Sequence, residues 1–296
     1  MNTWFITGAS SGFGLELTRL LLEGGYQVAA TSRNKDRLTQ EVTKTLGNNT
    51  KSKEILDKKF LALAVDLQSP VSVEKAFKDT VSKFKSIEVL VNNAGYAQNG
   101  AFEEVSDKEM RANLEVNLFA VMNVCRVAIP YLRETAKRLK VVPKIFNISS
   151  IAGFAGLSGI GAYSISKFAL DGLTETLGFE LRAFGIKVCS VRPGFFRTNF
   201  MNASTLLPEK QLDIYEDLHQ AFNAFMENVK GNEPGDPVKA MQLLIKVAQE
   251  NSPPLYLFLG SDSYDTASKK LNQIQKCLDR YKSEAAEALN FPDSKL

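Results

Sequence analysis

The chain has 296 residues, 44% of them hydrophobic, enough to bury a sizeable core in one large α/β domain. Its 36 basic and 33 acidic side chains leave a formal charge of +3, too near neutrality for the electrostatic footprint of a nucleic-acid binder. Cys125, Cys189 and Cys277 are scattered without a CxxC spacing, which predicts buried free thiols in a reducing compartment and argues against a metal site.

Seven short apolar runs read as strands, at 3–8, 26–32, 59–66, 87–95, 144–150, 186–194 and 254–260. Between them lie stretches of helical spacing, such as Leu15, Leu17, Leu20, Leu21 and Leu22, closed by Gly24 and Gly25. Strands alternating with helices predict a single domain over 1–296 built on a parallel sheet covered on both faces. Residues 47–58 read as a polar surface loop, and the basic run at 133–140 as the C-terminal end of a helix. The connection from 195 to 235 is long enough to be a lid over an active site; a helix near 237–250 and an amphipathic extension over 262–288 follow. No apolar run approaches the ~20 residues that cross a bilayer, and the first strand starts too early for a leader, so a soluble protein without a membrane span is expected.

After the first strand stands TGASSGFG, with Gly8, Gly12 and Gly14 as GxxxGxG and Ser10, Ser11 and Phe13 between them, opening onto the leucine-rich helix. Glycines at a strand-to-helix turn let the backbone approach a pyrophosphate, which then meets the free N–H groups of the helix. The second strand ends at Ser32 and Arg33, where a ribose-binding carboxylate is missing and an arginine can pair with a 2′-phosphate. NADP(H) is therefore expected in preference to NAD(H). Asp66 and Leu67 end the third strand at the adenine edge, and Asn93, Ala94 and Gly95 end the fourth beside the cofactor.

Of the eight tyrosines only Tyr163 is followed four residues later by a lysine, Lys167. One helical turn puts both on one face, where an ammonium is expected to pull the phenol below its ordinary pKa of about 10.

TGxxxGxG, NNAG, a downstream Asn, Ser, YxxxK and PGxxxT stand in order, and over residues 2–260 the chain resembles the short-chain dehydrogenase/reductase family, in a branch with retinol- and 17β-hydroxysteroid-dehydrogenase-like enzymes. The resemblance implies a doubly wound Rossmann fold with a seven-stranded parallel sheet. It also implies a catalytic tetrad of Asn117, Ser150, Tyr163 and Lys167: Tyr163 as acid or base, Ser150 rather than Ser149 holding the substrate oxygen, and Asn117 binding a water that relays protons to Lys167. Tyr163 and Lys167 would also reach the cofactor. Pro193, Gly194 and Thr198 match PGxxxT, and Phe196 is expected to offer backbone to the nicotinamide carboxamide.

The reaction implied is hydride transfer between NADP(H) and a carbonyl or secondary alcohol. Phe195, Phe196, Phe200, Met201, Leu206 and Leu207 give the lid an apolar character, which suits an apolar or amphipathic substrate. The rival readings are an epimerase or dehydratase, whose glycines usually run GxxGxxG, and a non-catalytic NADP(H)-binding regulator, which typically lacks the tyrosine or lysine. His219 is expected on a solvated helix face. The helices at 106–135 and 162–184 pair in relatives, so a homodimer is expected. The terminal Ser294, Lys295 and Leu296 spell a peroxisomal address in a eukaryotic host; otherwise a cytoplasmic protein is expected.

Overall fold

The computed structural model of the protein describes residues 2–47, 49–200 and 204–287. The strands are β1 (Thr3–Ile6), β2 (Gln27–Ser32), β3 (Phe60–Ala64), β4 (Val89–Asn92), β5 (Ala97–Gln98), β6 (Lys144–Ile148), β7 (Lys187–Pro193), β8 (Thr205–Leu206) and β9 (Tyr256–Leu259). Seven of them form the expected parallel sheet, in the order β3-β2-β1-β4-β6-β7-β9. In β1 the side chains alternate as the pleat requires: Trp4 and Ile6 enter one apolar cluster and Phe5 the other. Both faces are covered, so the strands read as unbroken apolar runs. Strand order reverses between β1 and β4, and the crevice beyond their carboxyl ends is the ligand position of such sheets.

One face is covered by α1 (Gly12–Glu23), α2 (Lys35–Leu46) and α9 (Pro237–Gln249), through residues such as Leu21, Val42 and Leu244. The other face is covered by α4 (Pro70–Phe84), α6 (Ala120–Leu139) and α7 (Gly161–Glu180). There Phe77 stacks on Phe5 with ring centroids 4.2 Å apart. Full burial of such a ring contributes about 1.5–3 kcal/mol.

The stretch read as a loop at 47–58 instead contains α3 (Thr50–Lys59), because the Asn49 side chain accepts from the N–H of Ser52 and caps it. The helix α5 (Asp107–Leu114) runs through a π-turn at Glu115–Phe119 into α6. By length and composition this Asp107–Leu139 helix could cross a membrane, contrary to the expectation from sequence. Val121, Val124, Ala128 and Leu132 on one face of it are buried against the sheet.

The connection at 195–235 is partly ordered into β8 and α8 (Glu216–Val229). β8 pairs in parallel with β5, tying this connection to the chain just beyond β4. After β9, α10 (Ser261–Tyr281) continues as a π-turn to Glu287. Met201, residue 288 and the terminal Ser294, Lys295 and Leu296 lie outside the described residues. Cys125 and Cys189 are buried as expected, but Cys277 is exposed on α10.

Candidate active site

The glycine turn is shaped by contact with the end of β4. Gly8 and Gly12 have φ of +66° and +54°, the left-handed region that favours glycine. A methyl on Gly8 would lie 2.7 Å from Ala94 Cα, and one on Gly14 2.5 Å from Asn93 Nδ2. Asn93 Nδ2 donates to the carbonyls of Thr7 and Gly8, both at 2.9 Å, while Thr7 Oγ1 accepts from the N–H groups of Asn93 and Ala94. Asn93 and Ala94 therefore brace the turn. At the start of α1, Ser11 makes no side-chain cap, and the first turn holds no acidic residue. Its N–H groups and positive dipole end are left for an anion. Thr198 stands over this turn, its Cβ 3.8 Å from where a Cβ on Gly12 would be, and Phe13 and half-buried Ser10 lie alongside. These residues fit a dinucleotide pyrophosphate.

At the end of β2, half-buried Ser32 accepts from the N–H of Asn34, and the next side chain, Arg33, is exposed. β3 ends at Ala64, so Asp66 and Leu67 fall on the following turn; Asp66 is exposed and accepts from the N–H of Gln68.

Tyr163, Lys167 and Asp171 recur every fourth residue along α7, and all three are buried. Burial pushes the Tyr163 phenol up to about 12, against a hydrogen bond with Ser150 that pulls it down. Burial brings Lys167 down to about 8, and the negative charge of Asp171 resists that fall. The direction is opposite to the acidic phenol expected from the Lys167 spacing, because burial disfavours the charged phenolate. Lys167 Nζ lies 5.6 Å from the Tyr163 ring centroid and donates to the carbonyl of Ile148 at 2.7 Å. Ser149 turns instead toward the Lys167 carbonyl at 3.4 Å, which leaves Ser150 as the serine beside the phenol.

Asn117 sits in the π-turn, wholly buried. Its Oδ1 accepts from the N–H of Tyr96, and its Nδ2 faces the Tyr96 carbonyl and Ser166 Oγ. Its side-chain amide is thus engaged by protein partners and holds Tyr96 from both sides. A methyl on Gly95 would lie 2.9 Å from Asn117 Oδ1 and 3.6 Å from Lys167 Nζ, so a glycine is needed between them.

Ala97, Ala152, Leu157, Ile160 and Phe200 pack with Tyr163 into a small apolar cluster around the phenol. Phe196 is buried edge-on to Phe13, and its carbonyl accepts from the N–H of Thr198. Phe195 packs on Phe225, whereas Leu206 and Leu207 are largely exposed. His219 is not on a solvated face: its Nε2 lies 2.7 Å from Glu104 Oε1, a carboxylate with no exposed side-chain surface.

Sequence reasoning missed Asp171 and Asp262. Asp171 pairs with Arg192 at 2.9 Å and accepts from Ser190, although its place one turn beyond Lys167 was a visible signal. Asp262 accepts from the N–H of Phe195 and fills the space beside Gly194, where any side chain would collide with it. Pro193 ends β7, and the Gly194 N–H donates to Leu259.

A sequence profile described as short chain dehydrogenase matches residues 2–207. The chain belongs to the short-chain dehydrogenase/reductase family of oxidoreductases. It is 34% identical to the oxidoreductase BOA17 of Botryotinia fuckeliana, over 90% of this chain and 91% of that protein. It is also 34% identical to a 3-ketodihydrosphingosine reductase of Bacteroides thetaiotaomicron, over 86% of each. A solved short-chain dehydrogenase from Streptomyces avermitilis superposes with a TM-score of 0.83 at 29% identity, covering 97% of this chain and all of that one.

Proposed function

We propose that the protein is an NADP(H)-dependent carbonyl reductase, running in reverse as an alcohol dehydrogenase, for an apolar or amphipathic substrate. One observation carries this reading: a buried Tyr163 beside Ser150, with Lys167 one turn away, inside an apolar wall beside the glycine turn. The bound dinucleotide supplies the hydride for the carbonyl carbon. Tyr163 gives its proton to the carbonyl oxygen as charge builds there, and Ser150 holds that oxygen in reach. Below about pH 8 the Lys167 ammonium faces the ring and stabilises the phenolate left behind. Asn117 keeps Tyr96 and the adjoining wall in register.

Exposed Arg33 beside Ser32, with no carboxylate there, supports NADP(H) over NAD(H). The relative named for 3-ketodihydrosphingosine directs attention to long-chain ketones. Exposed Phe119, Ile165 and Phe168 on the helices at 107–139 and 161–180 support pairing of two copies there. The test is NADPH and NADH oxidation with steroid, retinoid, long-chain and small ketones. Turnover with NADPH that is lost in Tyr163→Phe is expected; turnover that survives the substitution would overturn the mechanism, and faster turnover with NADH the cofactor assignment.

A further inference from the structure

The last helix carries an apolar seam that the catalytic reading does not use. Its first two turns are docked on the body: Ser263 Oγ donates to the Arg192 carbonyl at 2.8 Å, Ala267 is buried, and the Tyr264 ring lies 6.0 Å from Phe258. Beyond them, Leu271, Ile274, Leu278 and Tyr281 are 56, 39, 61 and 52% exposed. From Tyr264 through Ala267 to Tyr281 the spacing alternates three and four, the a and d positions of a heptad. A strict seam of that kind is the pattern of a helix that pairs with another helix, not of one lying on a globular surface.

We propose that α10 pairs antiparallel with α10 of a second copy, Ile274 packing on the partner's Leu278 and Leu271 on the partner's Tyr281. The flanking g positions select both the occupant and the direction. They are Lys270 and Cys277 on α10, with Glu284 next in the sequence pattern on the π-turn that extends the helix. Antiparallel, Lys270 faces the partner's Glu284, twice by symmetry, and Cys277 faces the partner's Cys277 near the two-fold axis. Parallel, Lys270 would meet the partner's Gln275 and Cys277 the partner's Lys282, with no opposite charges. A lipid surface is the poorer occupant, because the outer face carries Asp265 and Asp279 among Lys269 and Lys276 rather than an unbroken basic stripe. Two heptads bury less than the roughly 1,600 Å² of a standard interface, so the pairing is weak and reversible. It lies apart from the helices at 107–139 and 161–180, and two such contacts would build a tetramer.

The experiment uses the full chain, with mass followed by sedimentation and light scattering across a dilution series under reducing conditions. Leu278, Cys277 and Glu284 are exposed and Lys270 is half-buried, so circular dichroism checks that each variant folds. Leu278→Asp and Lys270→Glu are each expected to halve the mass, and Lys270→Glu combined with Glu284→Lys to restore it. Mild oxidation with diamide is expected to link two chains through Cys277, at a rate at least tenfold lower in Leu278→Asp and not at all in Cys277→Ser. Unchanged mass and cross-linking in Leu278→Asp would overturn the proposal. So would a double charge swap no better than the single changes, or a Leu278→Asp protein that keeps its mass but loses binding to anionic vesicles. None of these readouts depends on turnover, so a wrong substrate or cofactor would leave the result standing.

Discussion

At the glycine turn backbone touches backbone, whereas the 204–229 connection is held by side chains that reach over from the start of α5 and the residues before it. Gly8 and Gly14 press on Ala94 and Asn93, and the bonds of Thr7 and Asn93 lock that contact from beneath. The 204–229 connection is held by two carboxylates before and within α5: Glu104 accepts from the N–H of Leu212 and meets His219, and Glu109 accepts from the N–H of Glu209. No residue of α8 is buried. The first arrangement is a close-packed seat that tolerates no added atom; the second is a few bonds over a thin apolar layer, which can open locally without unfolding the sheet.

Substitutions on either side should separate the two. The largest effect is expected at Tyr163 between them: Tyr163→Phe should lower kcat by about 10²–10⁴-fold while dinucleotide affinity, read by fluorescence, stays within about twofold. Arg33→Asp should weaken NADP binding by roughly 10–100-fold and leave NAD nearly unchanged, the loss of a charge-assisted bond; equal losses would remove the 2′-phosphate argument. Gly14→Ala should cost about 1–3 kcal/mol in denaturant unfolding, since its Cβ has no free space, and weaken the dinucleotide as well. The pH profile tests the charge behind the ring. The folded value of Lys167, about 8, lies below its ordinary 10.5, so the ammonium is present below pH 8 and lost above it. Reduction should therefore fall about tenfold per pH unit above that point. Glu104→Gln should have the smallest global effect, speeding amide exchange over 209–223 with little change in the unfolding midpoint. Burial raises the Glu104 carboxyl, but the N–H groups of Leu212 and Ala101 and the His219 contact outweigh it and hold the value below the ordinary 4.5. The latch should therefore persist at neutral pH and release only as pH falls below the ordinary carboxylate range.

The same contrast explains what the sequence disclosed. Glycine at the turn, and tyrosine four before lysine, are local patterns dictated by steric and electrostatic needs at fixed spacing, and they came through with the seven strands. Other features were set by distant partners. His219 was placed on a solvated face because Glu104 lies 115 residues away. Asn49 carried a cap signal, but the polar run after it masked the helix. The direction of the Tyr163 shift depended on burial, which residue spacing does not report. Asp262 was invisible because its partner, the N–H of Phe195, belongs to the backbone of a remote loop.

The ribbon of β5 and β8 has a mechanical consequence. Asn117 clamps Tyr96 from both sides, and the next residue, Ala97, bonds to Ser204 while Asn99 bonds to Leu206. The 204–206 stretch is thus tied by backbone hydrogen bonds to the residues that Asn117 holds. Any displacement of the 204–206 stretch would therefore pull on Tyr96, on Asn117 and on the wall beside Lys167.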